Sequence, residues 1–160
     1  MAYALNLTSP VTGASQTLLT SPTYTFVKDN APNSHSAQYA VTALGGTQTG
    51  VNVHSVSNPF TLTIEKPASS RSLGSANPST GVISNVPRNT YKIRVRKGAV
   101  PAADQNAAVS VMEASIPIPA GADTYDLINC QAGISFLIGV LTQVSDEIGD
   151  MAGDGLLRES

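Results

Sequence analysis

Near the end of this chain of 160 residues, Leu127, Ile134, Leu141 and Ile148 recur every seven residues, and Cys130, Leu137, Val144 and Met151 form the matching second series. Apolar residues at these two heptad positions form one stripe along a helix. Phe136, Ile138 and Val140 then spread the apolar surface around nearly the whole circumference. A helix that is apolar on all sides has to be buried. One side of a small sheet cannot cover it, so the expected cover is a second copy of the chain. Leu127, Ile134, Leu137, Leu141 and Val144 are the candidate dimer contacts. Asp123 is the expected N-cap, with Asp126 three residues on in a capping-box-like place, and both charges suit the positive end of a helix. Gly149, Gly153 and Gly155 weaken helix toward the end, so the last segment is expected as a separate short helix or an extended tail.

The chain ahead of the helix reads as β. Tyr3, Leu5 and Leu7 alternate with small or polar residues. After the turn signal Ser9-Pro10-Val11-Thr12-Gly13, the run Gln16 to Thr20 is placed to return as a hairpin. Further strands are expected over Thr23 to Lys28, Ala37 to Leu44, Gly50 to Val56 and Phe60 to Lys66, with Gly45-Gly46 among the separators. This spacing predicts an antiparallel meander. The segment 67–87 is rich in Ser, Asn, Gly and Pro and is expected as an exposed excursion, with a short strand at Gly81 to Ser84. Ala107 to Ile118 forms a last long strand, with Pro117 and Pro119 at its exit, where proline is tolerated.

Between these lies Thr90-Tyr91-Lys92-Ile93-Arg94-Val95-Arg96-Lys97. Side chains alternate across a strand, so Tyr91, Ile93 and Val95 take the core face and Lys92, Arg94 and Arg96 the other. The three cations stand about 7 Å apart by the rise of about 3.3 Å per residue, a spacing suited to phosphates. Charge over the whole chain is also divided. Residues 1–122 hold eight Lys/Arg against four acids, whereas 123–160 hold one against seven. The molecule is expected to have two faces of opposite sign, one suited to a polyanion.

Other chemistries find little support. Cys130 is the sole cysteine, which excludes an intrachain disulfide, and is expected to be a buried thiol. His35 and His54 lie in polar contexts that read as surface, with no nucleophile or paired carboxylate beside them. Asp146, Glu147, Asp150 and Asp154 lack the ligand spacing of a calcium loop and read as a solvated face. No catalytic set, metal site or cofactor is expected. The N-terminal residues carry no Lys or Arg ahead of the apolar positions, so a signal peptide and export are not expected. The longest apolar stretch, within Ala132 to Val144, is too short for a membrane span.

Two further groups of residues carry a resemblance. The segment Asn89 to Val144 resembles the coat proteins of the small single-stranded RNA phages. It has the basic strand Tyr91-Lys92-Ile93-Arg94-Val95, a loop, Met112-Glu113-Ala114-Ser115-Ile116-Pro117-Ile118, and Pro119-Ala120-Gly121-Ala122-Asp123 opening the helix. Leu141 to Asp150 is similar to the C-terminal end of many members. The resemblance implies an α+β fold: an N-terminal β-hairpin and a five-stranded antiparallel sheet, followed by C-terminal helices that interlock in a homodimer. The chain would be a single coat domain over 1–160, with 1–119 forming the sheet part and 123–152 the helical dimerisation part. Helices would lie outside an icosahedral shell, with the bare sheet facing genomic RNA inside virions assembled in the bacterial cytoplasm.

By position, the resemblance puts Lys92 and Arg94 where the penultimate strand meets RNA, with Thr61 and Thr63 on the same face. Gly98 to Asn106 becomes the loop around the symmetry axes. Members also bind a hairpin of their own genome and so repress replicase translation, but the polar residue expected near Val111 for that recognition is absent here. The rival reading is a fibre, tail or surface-assembly β-domain without RNA binding. The Lys92, Arg94 and Arg96 row has no evident use in it.

Overall fold

A computed structural model describes residues 5–155 of the chain. Six antiparallel strands form one sheet in sequence order: β1 (Val11–Thr12), β2 (Thr20–Asp29), β3 (Ser36–Thr47), β4 (Phe60–Glu65), β5 (Arg88–Ala99) and β6 (Ala108–Pro119). Helices α1 (Ala122–Tyr125), α2 (Leu127–Gln143) and α3 (Ser145–Asp154) follow. This is the expected class, except that the hairpin is continuous with the sheet. The two residues of β1 pair with Thr23 and Tyr24 of β2, and a Gln16–Leu19 bridge closes the tip.

Several strand boundaries depart from expectation for local reasons. Leu5 and Leu7 are not in a strand, and Tyr3 lies outside the described residues. Gly45-Gly46 does not end β3. Gly46, at φ 72°, lies against the backbone of Ser21, where the β2–β3 register shifts, so the glycines form an irregularity within the ladder instead of a turn. Gly50 to Val56 is not a strand. β3 and β4 pair directly, Ala40 with Thr61, which leaves no slot between them. The connection is held instead by His54, whose N–H donates to the Val41 carbonyl at 2.9 Å and whose Nδ1 accepts from the Phe60 N–H at 3.0 Å. Both histidines are half-buried, not exposed as expected. His35 Nε2 lies 3.4 Å from Glu65 Oε1. Gly81 to Ser84 is irregular, within a loop whose residues are mostly exposed.

The helical part divides where the heptads did not. Gly121, at φ 89°, caps α1 in place of Asp123. The left-handed backbone there favours glycine and turns the chain out of β6. Asp126 precedes α2, but its carboxylate accepts from Asn129 Nδ2 at 2.8 Å and caps no backbone N–H. Helix α2 ends at Val144 and α3 leaves at 63° to it. Thr142 Oγ1 bonds back to the Ile138 carbonyl at 2.9 Å, a contact that bends helices. Ser145-Asp146-Glu147 then supplies the small polar residue and acids of a fresh helix start. Ile148 and Met151 therefore belong to a different helix from the rest of the stripe. Among the described residues no single helix is long and apolar enough to cross a membrane.

The sheet has two unlike faces. Register places Tyr39, Leu62 and Val95 in one row and Ala37, Ile64 and Ile93 in the next, with Met112 and Ala114 beside them. Edge-on stacking of Phe26 with Tyr39 and of Tyr24 with Phe60, at 5.3 and 5.6 Å, extends this apolar face. Gln38, Thr63, Arg94 and Glu113 stand in a row across the opposite face. The buried apolar side chains described are few: Pro22, Ala40, Val41 and Ala120. A chain of this length ordinarily buries well over half of its unfolded surface. Here the described residues leave the apolar sheet face open.

Candidate nucleic-acid interface and dimer groove

Strand β5 pairs with β4 along one edge and β6 along the other. Thr61 stands opposite Arg96, Thr63 opposite Arg94 and Glu65 opposite Lys92. On the far side Ser115 faces Lys92, Glu113 faces Arg94 and Val111 faces Arg96. Lys92, Arg94, Arg96, Thr61 and Thr63 are thus brought together on one face, as alternation predicts. Of these, Thr63, Arg94 and Arg96 line a shallow concavity of about 480 Å³ with Gln38, Glu65 and Glu113. Lys97 points to the other face, its ammonium 5.1 Å from the centre of the Phe60 ring and donating to Asn58 Oδ1 and the Gly98 carbonyl. Burial pushes that ammonium below the usual lysine range.

Two details change the sequence picture. The row of cations is not bare. Arg94 Nε donates to Glu113 Oε2 at 2.7 Å and Lys92 Nζ lies 3.7 Å from Glu113 Oε1. The Arg94 hydrogen bond, assisted by the charges of Arg94 and Lys92, holds the Glu113 carboxyl below the usual carboxylate range. Among the described residues Arg96 has no carboxylate within 4.0 Å and is exposed. The second detail is depth. Thr61 and Thr63 are only 3% and 5% exposed, so they form the floor of the surface and the longer cations its outer layer. Thr63 Oγ1 donates to Gln38 Oε1 at 3.3 Å, and Gln38 Nε2 donates to Asp29 Oδ2 at 2.7 Å, which lowers the Asp29 pKa.

Glu113 and Gln38 were not legible as parts of this surface. Glu113 depends on the β5–β6 register, which the loop fixes. The strands continue to Ala99 and resume at Ala108, so the loop is 100–107 and not 98–106. Centring the hairpin on the expected loop would have put Ser110 opposite Arg94.

The helices and the apolar face describe a second surface. None of the residues of α2 is buried, and α2 packs against α1 and α3 but on no strand to any comparable extent. Leu127, Leu137 and Leu141 are 48%, 39% and 46% exposed, while Ile134, Val144 and Cys130 are half-covered. The thiol is therefore not buried within the single chain. Tyr91 and Ile93, assigned to the core face, are 41% and 43% exposed for the same reason: none of the described residues covers them. A groove of about 550 Å³, lined by Val11, Tyr24, Phe26, Val41, Leu62, Val95 and Met112 among others, runs along that face. Burial against it pushes the Tyr24 hydroxyl pKa up. Helix α3 reaches back only to the hairpin tip, where Thr17 Oγ1 contacts the carboxylates of Asp146 and Asp150 at 2.8 and 3.0 Å and Ser145 Oγ donates to the Ser15 carbonyl at 3.3 Å.

The chain is similar to the solved virus-like particle of bacteriophage ESE020, with 52% sequence identity and a TM-score of 0.93 over 96% of this chain and 100% of that one. It also aligns with the virus-like particle of Beihai levi-like virus 32 at 19% identity and a TM-score of 0.47, over 86% and 90% of the two chains. No family model matches the chain, and no curated protein sequence does.

Proposed function

Since the chain belongs to the coat-protein family of the small single-stranded RNA bacteriophages, we propose that two copies interlock through α2 and that the shell built from these dimers holds RNA against the polar sheet face. The role is structural, in a capsid of many copies. The observation that carries the finer reading is the separation of one sheet into two unfinished faces. Among the described residues nothing covers its apolar face or the apolar helix α2, and the two are matched in chemistry. Exchange of α2 between two copies covers both at once. Leu127, Ile134, Leu137, Leu141 and Val144 then lie in the interface, where burial is worth about 1.5–3 kcal/mol per large side chain.

The opposite face is left for the polyanion. Lys92, Arg94 and Arg96 meet phosphates, with Thr61 and Thr63 as the floor that sets their spacing. Phosphate contacts position RNA without reading its sequence, which requires polar edges and stacking around unstacked bases. Tyr91 belongs to the other face, and Val111, opposite Arg96 and 55% exposed, offers no hydrogen bond. General RNA packaging follows, with little preference for a particular hairpin. No catalytic step is assigned to any residue.

Expression of the chain alone in bacteria tests this reading. The expected result is virus-sized particles in negative-stain images, with nuclease-protected ultraviolet absorbance from host RNA. A soluble monomer free of RNA would contradict it.

A further inference from the structure

Seven of the nine Lys and Arg residues, namely Lys66, Arg71, Arg88, Lys92, Arg94, Arg96 and Lys97, lie within 66–103, a segment that contains no Asp or Glu. The row on β5 uses three of them. Arg88 opens the same strand with the same parity: the β5–β6 pairing runs without a register shift from Arg88 to Ala99, so Arg88, Thr90, Lys92, Arg94 and Arg96 share one side.

Strand β4 stops where Glu65 pairs with Lys92, so the edge of β5 from Arg88 to Tyr91 has no strand beside it. The start of the long loop runs there instead. Asn89, 7% exposed, fastens it as a strand would: its Oδ1 accepts from the Arg71 N–H at 2.8 Å and its Nδ2 donates to the Arg71 carbonyl at 3.0 Å. These two bonds fix the Arg71 backbone beside Arg88. Between loop and strand lies a cavity of about 540 Å³ lined by Ser69, Arg71, Arg88, Asn89 and Thr90, with Pro67 and Ala68 as its apolar wall. Both arginines are exposed, and among the described residues neither has a carboxylate within 4.0 Å. Arg71 and Arg88 both line this polar cleft, which has hydroxyl donors and no acid; such a lining suits an anion, and phosphate offers the paired oxygens to which a planar guanidinium fork donates.

We infer that the Arg71/Arg88 cleft is an accessory phosphodiester site that lengthens the RNA track from the β5 row onto the long loop. The inference rests on the RNA-facing reading of β5 given above. From Arg96 to Arg88 the strand rises about 26 Å at about 3.3 Å per residue, so the track spans several nucleotides per chain. An acidic patch on a neighbouring copy is the competing occupant. The shared side of Arg88 with Lys92, Arg94 and Arg96 favours RNA.

The test is the salt dependence of binding of a short oligouridylate to full-length dimers, with R71Q/R88Q beside K92T/R94T/R96T. Both sets of positions are on or near the surface, and intact dimers by light scattering establish folding. The R71Q/R88Q variant is expected to bind with a slope shallower by about 1.4 for each chain the RNA reaches, at about 0.7 per lost phosphate contact. An unchanged slope in R71Q/R88Q alongside a reduced slope in K92T/R94T/R96T overturns the accessory site and leaves the β5 row standing. Unchanged slopes in both overturn the row as well. Loss of particle assembly in R71Q/R88Q with an unchanged slope assigns the cleft to a neighbouring copy and also overturns the inference.

Discussion

Replacing Glu113 with Gln should strengthen RNA binding, although the change breaks the shortest ion pair described in the sheet. Arg94 Nε and Lys92 Nζ lie 2.7 and 3.7 Å from the Glu113 carboxylate, so one acid partly neutralises two of the three cations of the row. Glutamine keeps a carbonyl acceptor for Arg94 and removes the charge. One more cation per chain becomes free to displace counterions from RNA, and the salt slope steepens by about 0.7 per chain, or about 1.4 for a dimer bound through both copies. Across a rise from about 50 to 200 mM salt, the variant should lose about sevenfold more affinity than the parent, from a tighter starting point. Fluorescence anisotropy with a labelled oligouridylate measures this. Thermal unfolding should move little, because exposed ion pairs contribute modestly. Unchanged or weaker binding by a folded E113Q dimer would refute the view that Glu113 competes with phosphate for Arg94.

Three other outcomes are expected. Particles of K92T/R94T/R96T should form from folded dimers but hold less RNA by the ratio of ultraviolet absorbance to protein. Leu137→Asp, which puts a charge into the apolar interface, should abolish dimers and particles in light scattering, whereas Gln131→Asp on the same helix should not. The Glu113 carboxyl, held low first by its Arg94 hydrogen bond, should titrate below the ordinary carboxylate range by NMR and move back toward it in R94Q, with Lys92 still lowering it. The sign follows from the lowered folded-state value: the tie between β5 and β6 is fully present above the unfolded-state pKa and is lost as pH falls through the folded one.

The strands that alternate cleanly were legible from residues alone. β5 and the row of Lys92, Arg94 and Arg96 depend only on a period of two, and the parity of Thr61 and Thr63 follows from Phe60, Leu62 and Ile64 in the same way. Features that depend on pairing were not. A shift of a few residues in the hairpin loop decides whether Arg94 meets Glu113 or Ser110, and no local signal fixes it. Gly45-Gly46 has the composition of a turn, yet a neighbour with a matching irregularity at Ser21 keeps it inside β3. The heptad stripe marked a helix whose apolar residues lie uncovered among the described residues, but its period runs unbroken through Val144, where Thr142 and the Ser145-Asp146-Glu147 start end one helix and begin another. The anchoring of the long loop by Asn89 is a contact across 18 residues that composition cannot reveal.

A cryo-EM map of particles assembled from the chain tests the two-faced sheet most directly. The expected map has a partner's α2 seated in the groove lined by Tyr24, Phe26, Leu62 and Val95, and nucleic-acid density on the side of Arg94 and Arg96. Density for RNA on the helix side, or α2 folded down onto the sheet of its own chain with no second copy across it, would contradict this.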